Sequence, residues 1–219
     1  MTNTPSIDAQ SRYRKSLTIY SRQLAAVQSR VNLISNLRLV VVIAAIIAGT
    51  VSYRMHFQWQ MAASMLAGII GFILLAARHS RLFRKLDELK ALAAINQQGI
   101  DRCEDRWAEF KERGDEFVDH DHPYSSDLDI FGRNSLYQYC CCAHTFYGKN
   151  RLAELLRGRC GDIMDITDRQ EAINHLSNRF TWRQMLECFG YAPAVGNDPA
   201  QLIAWAEGGG SLRSWKSSV

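Results

Sequence analysis

Two short stretches contain cysteine, histidine and aspartate side chains of the types that bind metal ions. Cys140, Cys141 and Cys142 precede His144, and thiolates together with imidazole are typical zinc ligands. Three consecutive positions of a helix, however, point about 100° apart and do not converge on one ion. Residues 119–122 alternate aspartate with histidine, a composition that also suits a solvated linker. We therefore predict packing residues and a linker at these positions, and no metal site.

No other set of side chains predicts catalysis. The paired carboxylates Glu104/Asp105 and Asp115/Glu116 are expected on exposed faces, and no strand-to-helix elbow presents a nucleophile. The glycine-rich run at 208–211 lacks the lysine of the phosphate-binding sequence GxxxxGK[ST], which occurs nowhere in the 219 residues. The sequence therefore predicts that this chain is not an enzyme by itself, holds no cofactor and has no small-molecule substrate.

Charge is unevenly distributed in the N-terminal part of the chain. The formal net charge is +4, but residues 11–38 contain basic side chains and no acidic ones. The basic residues are Arg12, Arg14, Lys15, Arg22, Arg30 and Arg38. Such a segment suits anionic lipid headgroups or nucleic acid. The six cysteines form no CxxC pair and are expected to be reduced cytosolic thiols.

Two apolar runs, residues 39–53 and 61–77, predict a transmembrane helical hairpin. A spanning helix needs about 20 residues, so the first run is short and is expected to gain length from Arg38 and Arg54 reaching toward the headgroups. Basic residues flank the hairpin on one side, which predicts a two-span protein of the cell membrane with both termini cytoplasmic. The alternative is a buried core hairpin of a soluble helical protein, for which the remaining chain offers too little apolar surface.

Apolar residues on both sides of the hairpin follow the 4-3 spacing of a coiled coil. Before it they are Tyr13, Leu17, Tyr20, Leu24, Val27, Val31 and Ile34. After it the same spacing gives Leu82, Leu86, Leu89, Ala93, Asn96, Ile100, Cys103, Trp107 and Phe110. These two seams predict an antiparallel two-helix stalk, with Asn96 setting its register. A dimer of stalks and, for the first helix, an amphipathic helix on the membrane surface remain as alternatives.

The sequence thus predicts an all-α chain with five parts. They are an N-terminal cytoplasmic amphipathic helix at 1–37, a transmembrane hairpin at 38–78, a stalk helix at 79–118, an extended linker at 119–134 and a partial helical core at 135–219. Within the core, a helix is expected to begin at a cap at Asn134 or Ser135 and to weaken at Gly148. Further helices are expected from about Thr167 and Thr181.

The segment HPYSSDLDIFGRNSLYQYCCCAHTFYGKNRLAELL, followed by DITDRQEAINHLSNRFTWRQML, resembles the beginning of the core helical region of MutS-family proteins, the mismatch-repair ATPases and their relatives. An N-terminal hairpin before this entry resembles a membrane-associated MutS-like subgroup. The residues that carry the resemblance, all expected to be structural, are His122, Pro123, Asp127, Asp129, Phe131, Gly132, Ser135, Leu136, Thr145, Gly148, Arg169 and Gln170.

The resemblance implies a parent protein that binds mismatched DNA and hydrolyses ATP with Mg²⁺ in a domain absent from this chain. The chain is then expected to be an N-terminal fragment whose partners are membrane lipid, DNA through the longer protein, and a second copy or another protein. The alternative function is a non-enzymatic membrane adaptor that binds a protein partner through its stalk and helical head.

Overall fold

The computed structural model describes residues 4–54, 58–158, 162–191 and 198–207. These residues form seven α-helices and no strand, which confirms the all-α class. The helices are α1 (Thr4–Arg54), α2 (Gln58–Cys103), α3 (Leu136–Cys140), α4 (Phe146–Leu156), α5 (Ile163–Ser177), α6 (Phe180–Gly190) and α7 (Ala200–Glu207). The chain divides into two compact units, Met1–Ile100 and Asp101–Val219.

Helix α1 is continuous across the predicted boundary between residues 37 and 38. Pro5 lies in its first turn, where the missing N–H costs no hydrogen bond, and no further proline or glycine occurs before Gly49. The amphipathic segment and the first apolar run therefore form one helix.

Helices α1 and α2 lie alongside each other and run in opposite directions. A Cβ added at Gly68 would lie 2.6 Å from the Ala45 Cβ, and one added at Gly99 would lie 2.5 Å from the Tyr13 ring. Later positions in α2 thus meet earlier positions in α1. Small residues at these contacts allow the two backbones to approach closely.

The half of this helix pair that lies outside the apolar runs has a buried seam. Every 4-3 position from 13 to 34 and from 82 to 100 is buried or half-buried. Leu86 and Leu89 are each only 1% exposed. Asn96 is fully buried, and its Nδ2 donates to the Leu92 carbonyl oxygen at 2.7 Å. The interior of this half is therefore apolar with one polar position.

The apolar half exposes its side chains instead. The most apolar 18-residue windows of α1 and α2 have mean hydropathies of 2.2 and 1.4, and only 11% and 0% of these windows is buried. Both helices are long and apolar enough to cross a membrane. Since a core hairpin of a soluble protein would bury these residues, the exposure argues against that alternative.

Helix α2 ends before the predicted stalk helix does. The sequence predicted helix to residue 118 and a seam through Trp107 and Phe110, whereas α2 ends at Cys103 and residues Trp107–Glu109 form a 3₁₀ turn. Asp105 adopts a left-handed backbone with φ of 56°, and the Arg106 N–H donates to the Asp101 carbonyl at 2.8 Å. This is a Schellman-type ending with aspartate where glycine is usual.

The start of the helical core also differs from the prediction. Ser135 caps α3 as expected, but the break that follows lies at residues 141–145 and not at Gly148. The Thr145 hydroxyl accepts from the Gly148 N–H at 3.1 Å and caps α4, so Gly148 lies in the first turn of that helix. Helix α5 begins at Ile163, earlier than predicted, and α6 begins at Phe180.

Candidate functional site

A small aromatic core lies in the second unit, and Phe131, one of the residues that carry the MutS resemblance, packs against it. Tyr137 is fully buried, with its ring centroid 5.4 Å from that of Phe117 and 5.8 Å from that of Phe131. Gly114 has φ of 71°, and a Cβ there would lie 2.7 Å from the Tyr137 ring. Gly114 thus combines a backbone conformation that favours glycine with space for the tyrosine.

Gln138 connects this core to the loop after α2. It is fully buried, and its Nε2 donates to the Ala108 and Phe110 carbonyl oxygens at 3.1 and 2.7 Å. Its Oε1 accepts from the Asn134 N–H at 2.7 Å. Three hydrogen bonds satisfy the buried amide, as burial of a polar group requires.

Arg102 binds the end of α3 from the last turn of α2. Its Nε donates to the Tyr139 carbonyl at 2.9 Å and its Nη2 to the Cys141 carbonyl at 2.8 Å. The guanidinium also lies 4.9 Å from the centre of the Phe110 ring. Helix C-terminal carbonyls lack partners within their own helix, so this arginine supplies the cap of a five-residue helix.

The predicted entry residues 122–136 form turns that lead into α3. Asp129 and Asn134 have left-handed φ values of 48° and 60°, a conformation that Asp and Asn tolerate better than most residues. The Asp129 carbonyl accepts from the Leu136 N–H at 3.0 Å. Gly132, with φ of 96°, donates its N–H to the Arg113 carbonyl at 2.9 Å. These residues act through the backbone, since it is their main-chain atoms that make these bonds.

The structure does not bring all of the residues that carry the MutS resemblance close together. Ser135 and Thr145 cap α3 and α4. Phe131 packs against the aromatic core, and the His122 ring lies near the Arg157 carbonyl oxygen. Pro123, Asp127 and Leu136 are exposed. Arg169 and Gln170 lie on α5, which packs with α6.

The cysteine cluster is arranged differently from the prediction. Only Cys140 lies in α3, because Cys141 is its C-cap and Cys142 follows in the loop. Burial raises the pKa of the Cys140 thiol and that of Cys142, while the charge of Arg102 lowers both. A raised pKa keeps each thiol in its protonated form, which is less nucleophilic than the thiolate.

Within the described ranges, no three His, Cys, Asp or Glu side chains are grouped to hold a metal ion. Cys160 and the run at 208–211 lie outside those ranges.

A polar pair that sequence reasoning missed joins α6 to the segment before α4. The His144 Nε2 lies 3.4 Å from the Glu187 Oε1, and both side chains are largely buried. The Tyr191 ring meets the imidazole edge-on, with 4.5 Å between centroids. No local sequence pattern predicts this pair, since its members are far apart in the chain and only the fold brings them together.

The side-chain bonds of this unit go mainly to backbone carbonyls, so the arrangement fixes loops and helix ends. Comparison with protein-family models, with curated proteins and with solved structures finds no match to this chain.

Proposed function

We propose that this chain is the membrane-anchoring N-terminal part of a MutS-like, ATP-dependent DNA-binding protein. The apolar halves of α1 and α2 cross the bilayer, their other halves form an antiparallel stalk on the cytoplasmic side, and residues 101–219 begin the helical core. The chain alone has no nucleotide site and hydrolyses no ATP.

The observation that carries the membrane part is the exposure of the apolar side chains. Leu39, Ile46 and Leu74 are each at least 60% exposed, and they belong to windows that bury almost nothing. A contiguous apolar surface of this kind is costly in water and normal in a bilayer.

Charge supports the orientation. Arg78, Arg81 and Arg84 follow the second apolar run and are exposed, and the basic residues of α1 precede the first run. In antiparallel helices these groups share one end of the hairpin. Basic residues accumulate on the cytoplasmic side, which leaves the loop after Arg54 on the opposite side.

Burial of the seam supports a stalk over an amphipathic helix on the membrane surface. A surface helix would insert its apolar face into lipid, whereas Val31 and Ile34 of α1 are buried by protein in the isolated chain. The support for the MutS-like core is the sequence resemblance of residues 119–186.

Fractionation of the expressed chain tests the anchor. The chain is expected to stay in the membrane pellet after an alkaline carbonate wash and to need detergent for release. Recovery as a soluble monomer without detergent would contradict the proposal.

Cysteine labelling tests the topology. In intact cells, a membrane-impermeant maleimide is expected to label Trp59→Cys, because Trp59 lies in the first turn of α2 and is 86% exposed. The native exposed thiols of Cys103 and Cys140 are the internal control and should react only after lysis. Labelling of the native thiols in intact cells would invert the topology.

The family assignment is tested on the coding sequence and the longer protein. We expect GxxxxGK[ST] to be encoded downstream, and ATPase activity and binding of mismatched duplex DNA in the longer protein. A longer protein with neither activity would refute the MutS-like part and leave the anchor intact.

A protein-binding adaptor is the second candidate, and the surface of α5 and α6 favours it. Ile163 and Phe189 are 83% and 76% exposed, and Trp182 and Leu186 are about half exposed. Exposed apolar residues at this density are typical of interaction sites. Phe189→Asp should abolish co-purification of such a partner, while Thr181→Asp, on the same exposed helix, should not.

A further inference from the structure

An open groove runs along the apolar halves of α1 and α2. Its volume is about 930 Å³. Its apolar walls include Val42, Ile46, Ile69 and Phe72, and its floor includes Gly49 and Gly68. The walls are exposed at the surface of the pair. Nothing lies within 4 Å of a Cβ added at Gly49, so a larger side chain at this position would enter the groove.

One end of the groove is charged. Arg54, the last residue of α1, is the one charged residue in the lining, and Thr50 lies one turn before it. The structure gives Arg54 no carboxylate partner among the residues it describes, and the side chain is exposed. The lining is therefore apolar except for Thr50 and Arg54 at the loop end, and a second guanidinium, that of Arg38, lies 4.7 Å from the centre of the Phe72 ring.

The groove is long enough to hold one acyl chain. From Val42 to Arg54 the helix rises about 18 Å at about 1.5 Å per residue. One leaflet contributes about 15 Å of hydrocarbon, half of a core of about 30 Å. A molecule that fills the groove with an acyl chain would thus place its headgroup beside the guanidinium.

We propose that this groove binds one glycerophospholipid of the leaflet on the loop side, with an acyl chain along Gly49 and the phosphate on Arg54. The proposal rests on the membrane anchoring proposed above. A guanidinium binds phosphate oxygens through two parallel N–H donors. Lipids with net negative charge are preferred, because no described carboxylate beside Arg54 is placed to receive a headgroup ammonium.

Native mass spectrometry of the full chain in detergent tests this site, with phosphatidylglycerol and phosphatidylcholine as probes. The unmodified chain is expected to retain phosphatidylglycerol about tenfold more tightly than phosphatidylcholine, because the Arg54 guanidinium repels the choline ammonium of phosphatidylcholine. Arg54→Gln should remove this preference. Gly49→Leu should weaken the binding of both lipids, because its side chain fills the groove.

Two matched variants control for general effects. Arg22→Gln removes an exposed charge far from the groove, and Ala44→Leu places the same leucine side chain at an exposed position outside the lining. Both should bind lipid as the unmodified chain does. The site is refuted if Arg54→Gln keeps the preference, if Arg22→Gln loses it equally, or if a folded Gly49→Leu chain binds both lipids undiminished.

Carbonate fractionation of the same preparations separates the two proposals. An unmodified chain that stays in the membrane but binds both lipids equally would overturn the lipid site alone. A chain recovered without detergent would overturn the anchoring together with the site.

Discussion

The Tyr124 hydroxyl donates a hydrogen bond of 2.8 Å to the carbonyl oxygen of Arg157, the C-cap of α4. The His122 Nε2 lies 3.3 Å from the same oxygen, and the two rings meet edge-on. Arg157 in turn donates through Nη2 to the Phe117 carbonyl at 2.6 Å, and its guanidinium lies over the Phe131 ring. The end of α4 is therefore held to the entry residues through Tyr124 and Phe131, and to the preceding turn through the Phe117 carbonyl.

Tyr124→Phe should weaken this link by about 1 kcal/mol, the usual net contribution of one hydrogen bond. The measurement is hydrogen exchange of the amides at 152–158 in the full chain in detergent, which should become faster. Tyr147→Phe is the matched control, because Tyr147 is 60% exposed and its loss should leave exchange unchanged. Equal exchange in the two variants would show that the bond contributes nothing.

Gln138→Leu should destabilise the second unit by about 2–4 kcal/mol, because the Ala108 and Phe110 carbonyls and the Asn134 N–H would lose their partner. Exchange at 108–113 and 134–140 measures the effect. The control is Gln170→Leu on the exposed side of α5, with an expected change within about 0.5 kcal/mol. Similar effects of both substitutions would contradict a specific role for the buried amide.

Tyr137→Phe should reduce the loss of stability at high pH. Burial raises the pKa of the Tyr137 hydroxyl, so the stabilisation is complete below the ordinary tyrosine pKa of about 10 and is lost as the pH rises above it. Phenylalanine has no proton to release. Urea unfolding between pH 8 and about pH 11 should show a shallower decline for this variant.

Near neutral pH, Tyr137→Phe should cost little, since among the described residues the hydroxyl faces only the weakly hydrogen-bonding Cys141 thiol. Tyr147→Phe again serves as the control and should follow the unmodified chain at every pH. A decline as steep as that of the unmodified chain would assign the alkaline loss to other groups.

Gly99→Ala should destabilise the helix pair, because the new Cβ would lie 2.5 Å from the Tyr13 ring. In an open helix the same change would stabilise by about 1 kcal/mol. The sign should therefore reverse in a Tyr13→Ala background, where the ring is absent. Thermal loss of helical circular dichroism in detergent measures the four variants of this cycle. A stabilising Gly99→Ala in the unmodified background would show that the two helices separate at this point.

Local patterns predicted the elements that depend on neighbouring residues. Ser135, one of the two predicted cap residues, caps α3 because its hydroxyl accepts from the Gln138 N–H three residues later. The cap of α4 at Thr145 was not predicted, since the expected weak point was Gly148. The end of α2 at Cys103 was not predicted, because the apolar spacing continues to Phe110. That ending depends on Asp105 adopting a left-handed backbone and on Arg106 folding back to bind Asp101 and Glu104.

By itself, the sequence determined the all-α class, the two apolar helices and the 4-3 seam, since these follow from the periodicity of apolar residues along a helix. Only the tertiary structure decided which side chains hold the second unit together. Gln138, Arg102, Arg157 and the pair His144–Glu187 bind partners distant in sequence, and such contacts exist only once folding has closed the loops between them.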